Sequence, residues 1–213
     1  ERRIYLSIAL LCFYQCIVGC HSLEWDCNAT TNTGTYARTS NCTISGNDHV
    51  VVSNTLEITG SNTDMKNLVT ISAASGKRHF FVGSKTDKLI LRYIKLVGGD
   101  ATGATFGGSI YIYDDDDHPY KVADSDTLIL FFTIISNNKA SEGGGIFANG
   151  NIKIYNSSIV NNIATVSGGG ITIEKSVVKI YGSNISRNEV ENGGGGGLTI
   201  KYSDVVVQDT TIS

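Results

Sequence analysis

The sequence predicts an all-β chain wound as a right-handed parallel β-helix, a solenoid of about 25 residues per coil. Two observations carry this. One pattern recurs three times: Ile135-Ser136-Asn137-Asn138 leads to Gly143-Gly144-Gly145-Ile146. Ile159-Val160-Asn161-Asn162 leads to Gly168-Gly169-Gly170-Ile171, and Ile185-Ser186-Arg187-Asn188 leads to Gly195-Gly196-Gly197-Leu198. The anchor isoleucines lie 24, 26 and 27 residues apart when Ile212 is included. Second, no stretch sustains a helical period, whereas short β-branched and aromatic runs alternate with Gly, Asn and Ser clusters.

Residues 1–22 stand apart from the coils. Glu1-Arg2-Arg3 followed by the apolar run from Ile4 to Gly19 has the layout of a secretory signal peptide. An uncleaved membrane anchor and a buried element are the competing readings. About 17 residues interrupted by Gln15 and Gly19 are marginal for spanning a bilayer.

Residues 23–78 are expected to form a cap and irregular first coils. A secreted chain would leave Cys27 and Cys42 as an even pair in an oxidising compartment, which predicts a disulfide; two free buried thiols are the alternative. Glycosylation sequons start at Asn28, Asn41, Asn156 and Asn184 and matter only in a eukaryotic source. Leu56-Glu57-Ile58, Leu68-Val69-Thr70-Ile71 and His79-Phe80-Phe81-Val82 read as strands of these less regular coils.

Residues 79–213 are expected to be regular coils of three short strands and three turns. Ile135, Ile159, Ile185 and Ile212 form one predicted internal column, and Leu130, Ile154, Ile180 and Val207 another, five residues earlier. Asn138, Asn162 and Asn188 are placed at one turn, where Asn tolerates left-handed backbone and its amides can bond each other along the stack. The Gly runs ending in Gly145, Gly170 and Gly197 permit positive φ and close approach of coils. Leu89 to Ile94 keeps the five-residue offset, which aligns Ile94 with Ile135 and leaves about 16 extra residues in that coil. Asp114-Asp115-Asp116-Asp117-His118-Pro119-Tyr120 accounts for them as a surface loop.

On these Gly-Gly-apolar and Ile-x-x-Asn units the chain resembles the polymorphic outer membrane protein family. That family carries Gly-Gly-Ala-(Ile/Leu/Val) and Phe-x-x-Asn motifs on a right-handed parallel β-helix. The stretch from His79 through Ile110 is similar to the entry coils of pectin-lyase-like proteins. The likeness covers residues 79–213 and departs from the motifs in having Gly for Ala and Ile for Phe. It implies a surface-exposed or secreted adhesion protein.

The 41% apolar content supports a sizeable core, and a net charge of −3 gives no basic bias toward nucleic acid. Asn62-Thr63-Asp64 matches one polygalacturonase element, but the Asp-Asp, Gly-His-Gly and Arg-x-Lys partners are missing. Glu142, Glu174, Glu189, Glu191, Asp204 and Asp209 do not fall at equivalent positions of adjacent coils. His21, His49, His79 and His118 are scattered. No catalytic residue, cofactor or metal site is therefore assigned. Four consecutive aspartates cannot all face one ion, so Asp114–Asp117 reads as solvated, with weak calcium or cationic-partner binding as the alternative.

The expected function is a secreted or cell-surface module for adhesion, binding or structure, without catalysis. Its partner would be a carbohydrate or a cell-surface protein, with membrane contact only through a leader, anchor or missing C-terminal region. The alternative is a polysaccharide lyase, hydrolase or epimerase. Because Ser213 falls one residue past the anchor of a fresh coil, further coils are expected beyond it.

Overall fold

The computed structural model describes residues 23–28, 33–46, 48–84, 86–113 and 125–213, the side chains of 103–105 excepted. Among the described residues, twenty-four short strands follow one another around a common axis, and every pairing between them is parallel. The chain is an all-β parallel β-helix.

Two coils of three strands open the stack: β1 (Gly34–Arg38), β2 (Cys42–Ile44) and β3 (Val50–Val52), then β4 (Thr55–Gly60), β5 (Val69–Ala73) and β6 (Phe80–Val82). The next four coils have four strands each. They are β7 (Lys88–Arg92), β8 (Ile94–Val97), β9 (Asp100–Phe106) and β10 (Ile110–Ile112); β11 (Leu128–Phe131), β12 (Ile134–Ser136), β13 (Lys139–Glu142) and β14 (Ile146–Ala148); β15 (Ile152–Tyr155), β16 (Ser158–Val160), β17 (Ile163–Ser167) and β18 (Ile171–Glu174); and β19 (Val177–Tyr181), β20 (Asn184–Ser186), β21 (Glu189–Val190) and β22 (Leu198–Lys201). Finally, β23 (Asp204–Gln208) and β24 (Thr211–Ile212) begin another turn.

Equivalent strands stack into four sheets. Face A runs β1-β4-β7-β11-β15-β19-β23, face B β2-β5-β8-β12-β16-β20-β24, and face C β3-β6-β10-β14-β18-β22. Face D, between B and C, runs β9-β13-β17-β21. The expectation of three strands per regular coil is thus corrected. The segment between the Asn turn and the Gly run, read as turn, is long enough to pair with its copies and does so.

Both predicted core columns exist. Ile135, Ile159, Ile185 and Ile212 are aligned on face B, and Leu130, Ile154, Ile180 and Val207 on face A. All but the last of each column are buried, each contributing roughly 2 kcal/mol through lost apolar surface. The backward extension is shifted by two residues: Leu91 and Leu96, not Leu89 and Ile94, continue the columns. Alternation hides this error, since both pairs point inward. The longer third coil takes part of its excess in β9, where six steps from Asp100 to Phe106 face three from Lys139 to Glu142. The acidic run Asp114–Asp117 lies outside the described residues, as does the segment 1–22 read as a signal peptide.

Left-handed backbone marks the corners, but not where expected. Asn137, Asn161 and Arg187 carry φ of 54 to 57°, one residue before the ladder asparagines. Likewise the first glycine of each Gly-Gly-Gly-apolar unit (Gly143, Gly168, Gly195) takes positive φ, not Gly145, Gly170 or Gly197. A Cβ on Gly170 would sit 2.5 Å from the Gly197 carbonyl oxygen and 2.8 Å from Asn188 Nδ2, so the last glycines serve close packing. Even bulky Tyr93, Phe132, Lys175 and Tyr202 are left-handed. Such strain costs about 1–3 kcal/mol each. It persists because parallel bonding runs through the corner, for example from Phe132 N to Tyr155 O at 3.1 Å and from Lys175 N to Lys201 O at 3.0 Å.

From the fourth coil onward, and outside the Gly runs, the residue following a left-handed corner between two faces turns a polar side chain toward the stack. Asn138 is the first of an amide ladder. Its Nδ2 donates to Asn162 Oδ1 at 2.9 Å, and Asn162 Nδ2 donates to Asn188 Oδ1 at 3.0 Å. Thr133, Ser157, Ser183 and Thr210 form a hydroxyl ladder between faces A and B, in which the oxygens of Ser157, Ser183 and Thr210 each accept from the backbone N–H of the ladder residue in the coil before. Ser176 and Ser203 begin a third between faces C and A. Buried polar groups cost little when paired this completely.

At the N-terminal end, Trp25 is buried against Phe80, with ring centroids 5.8 Å apart. Cys27 and Cys42 form the predicted disulfide, with Cα atoms 6.3 Å apart.

Candidate functional site

Two outer faces carry aromatic rows, and their geometries differ. On face A the outward residues Arg92, Phe131, Tyr155 and Tyr181 share one register. Phe131 and Tyr155 stack at 4.9 Å and 8°, Tyr155 and Tyr181 at 5.5 Å and 12°, and Arg92 covers Phe131 at 4.2 Å. Arg92 Nε also donates to Glu57 Oε1 at 2.7 Å. The ring faces are consumed by one another, so this row acts as a stabilising ladder.

Face C is built otherwise. Val51, Phe81, Tyr111 and Phe147 point outward at one register, between the buried residues Val50, Phe80, Ile110 and Ile146 and Val52, Val82, Ile112 and Ala148. Their rings meet at open angles: Phe81 and Tyr111 at 39°, Tyr111 and Phe147 at 70°, Phe106 and Phe147 at 44°. His49 sets its edge against Phe81, and Tyr113 stands beside Tyr111 at 6.0 Å. Val51 and Tyr113 remain exposed at the rim.

Arg78 enters this aromatic group from the turn before β6. Its backbone is clamped by bonds from Arg78 N to Asp48 O and from His79 N to Ser109 O. Its guanidinium lies 5.0 Å from the Tyr111 ring centre, and the residue is only 9% exposed. Among the described residues no carboxylate forms an ion pair with it. Asp48, whose charge acts on it, pairs with Lys77 at 3.8 Å.

The electrostatics follow from burial. Desolvation lowers the pKa of His49, and the Arg78 charge lowers it further, so His49 is neutral near pH 7. Desolvation also raises the pKa of the Tyr111 phenol, helped by Tyr113. Burial moves Arg78 down, partly opposed by Tyr111 and Asp48, though a guanidinium stays charged. Arg78 is thus a cation held, nearly buried, against the Tyr111 ring.

Between face D and face C, Glu142 Oε2 accepts from Ser167 Oγ and Lys201 Nζ, both at 2.8 Å. Burial alone would raise the Glu142 pKa, but these bonds and the lysine charge bring it below the ordinary value. The pair ties the fourth coil to the sixth and leaves neither group unengaged.

The residues singled out by sequence are dispersed. Asn28, Asn41 and Asn156 are exposed and Asn184 is half-buried on face B. Asn28 Oδ1 accepts from Ser45 N and Gly46 N, and Asn41 Oδ1 from Thr70 N. Asp64 organises its own turn with Asn62, Lys66 and Asn67. His79 is a core residue with Nε2 3.0 Å from Ile71 O and Nδ1 3.0 Å from Ser109 Oγ. No metal-binding group of three or more His, Cys, Asp or Glu occurs among the described residues. No described helix is long and apolar enough to cross a membrane. Sequence reasoning missed the meeting of Arg78 with these rings, because no counterpart of Arg78 recurs in the coils above it.

The chain matches no protein-family model, no curated protein and no solved structure.

Proposed function

We propose that this chain is a secreted or cell-surface β-helix module that binds a partner through an outer face and does no chemistry on it. The observation that carries the reading is Arg78, a charged, nearly buried side chain without an ion-pair partner among the described residues, set among rings whose faces are not stacked away. A rigid sheet presenting such a group is preorganised for recognition, because little order must be imposed on binding. The disulfide and the exposed sequons support an extracellular setting. The repeat's resemblance to polymorphic outer membrane proteins supports adhesion in particular, toward a carbohydrate or a cell-surface protein.

The test applies the purified full chain to immobilised glycans and to cell surfaces, and assays the same polysaccharides for chain cleavage. Saturable retention without cleavage is expected. Cleavage abolished by one Asp or Glu substitution, Glu142→Gln for example, would establish the alternative of a polysaccharide-active enzyme.

A further inference from the structure

We infer that the Arg78 cradle on face C is a subsite for a single sugar acid, a pyranose carrying a carboxylate at the end of a glycan. This rests on the binding reading above and names the surface and ligand class.

Three features of the face select that chemistry. The first is charge. An unpaired guanidinium in a desolvated setting calls for an anion, and its planar fork matches a carboxylate through two parallel N–H···O bonds. Its nitrogens are not sealed off: the buried side-chain polar atoms without a partner among the described residues are Trp25 Nε1, Thr127 Oγ1 and Ser136 Oγ. With His49 held neutral beside Phe81, the positive charge is concentrated on Arg78.

The second is the rings. The guanidinium lies over the Tyr111 ring, and Phe81 and Tyr113 flank that ring, so the cation borders an apolar aromatic surface that also carries two phenols. That combination suits a sugar, which offers an apolar C–H face and a rim of hydroxyls. A small inorganic anion would leave the rings unused.

The third is number. In the coils above, the position corresponding to Arg78 is Gly108, Gly144 and Gly169, where a Cβ would meet neighbouring backbone. No row of cations can therefore run up face C from Arg78, as binding a polyanionic chain would require. One charge fits one terminal acid.

The experiment titrates the full chain with 3′-sialyllactose, with a glucuronyl-terminated disaccharide, and with lactose and the sialyllactose methyl ester as neutral counterparts. Calorimetry reads affinity, and chemical shifts of the aromatic side chains report location. Binding of at least one acidic glycan is expected, and the two acidic arms show which sugar acid is taken. The neutral counterparts should bind at least about tenfold more weakly. Arg78→Gln should abolish the difference, and Arg78→Lys, which keeps the charge without the fork, should restore it only in part. Should Arg78→Gln fail to fold, the ester comparison on the unaltered chain still decides. Equal affinity for acid and ester overturns the inference, as does unchanged affinity in a folded Arg78→Gln variant. Glycan retention that maps elsewhere sinks this site while leaving the binding function standing. Failure to retain any glycan or cell-surface partner sinks both.

Discussion

Asn162 Oδ1 accepts two hydrogen bonds from Asn138, from its backbone N–H at 3.1 Å and from its side-chain Nδ2 at 2.9 Å. The Asn162 amide in turn donates to Ile135 O and Asn188 Oδ1, both at 3.0 Å. One fully buried side chain thereby closes four bonds between three coils. Asn162→Ala should cost about 3 kcal/mol, because several buried partners lose their bonds at once. Asn162→Asp should cost at least as much near neutral pH, since it removes both donors and buries a charge. Urea unfolding of each variant measures this, and a loss below about 1 kcal/mol would show the ladder to be incidental.

The disulfide spans 15 residues and ties the first cap segment to β2. A loop of that size supplies roughly 3 kcal/mol by restricting the unfolded chain. Cys27→Ser with Cys42→Ser should lower stability by about that amount. Reductant should reproduce the loss in the natural chain and have no effect in the double variant, as thermal unfolding with and without dithiothreitol would show.

His79 should make the fold acid-sensitive. Burial lowers its pKa from 6.5 to about 4, against partly opposing bonds to backbone carbonyls. The unfolded chain therefore binds more protons between those values, and stability is fully present above pH 6.5 and falls as pH drops toward 4. The shift corresponds to about 3 kcal/mol. Denaturant midpoints measured from pH 7.5 to 4.5 should decline in the natural chain. A folded His79→Gln variant should show a flatter profile, and equal slopes would remove His79 as the cause.

Neighbouring glycines in one run should differ sharply. A Cβ on Gly193 would run into the Val166 carbonyl oxygen, whereas one on Gly194 meets nothing within 4 Å. Gly193→Ala should destabilise by about 2 kcal/mol, and Gly194→Ala should change stability by less than about 0.5 kcal/mol. Thermal unfolding of the two single variants compares them directly.

Parts of this architecture were legible because they repeat. Ile135, Ile159 and Ile185 occupy the same inward position on successive coils, and each must be apolar for the same reason, so the period shows in the sequence. The amide ladder was legible through the same recurrence of Asn138, Asn162 and Asn188. Its backbone conformation was assigned one residue too late, because Asn137 and Asn161 are asparagines as well. At the next coil the left-handed residue is Arg187, which propensity alone would not select. Inter-coil hydrogen bonding imposes that conformation, and only the stacked structure displays it. The hydroxyl ladder of Thr133, Ser157, Ser183 and Thr210 was missed because Ser and Thr are common throughout the chain, and their phase matters only once the corners are known.

The sequence by itself determined the coil period, the two aliphatic columns, the Gly-dependent close packing and the Cys27–Cys42 pairing, all consequences of local pattern or simple counting. Tertiary structure decided the four-sided cross-section, the two-residue register of Leu91 and Leu96, and the meeting of Arg78 with Tyr111. Core positions repeat because every coil must bury the same inward site. Arg78 has only glycines at its position in the coils above, so its meeting with Tyr111 leaves no periodic trace and emerges only when the coils are stacked.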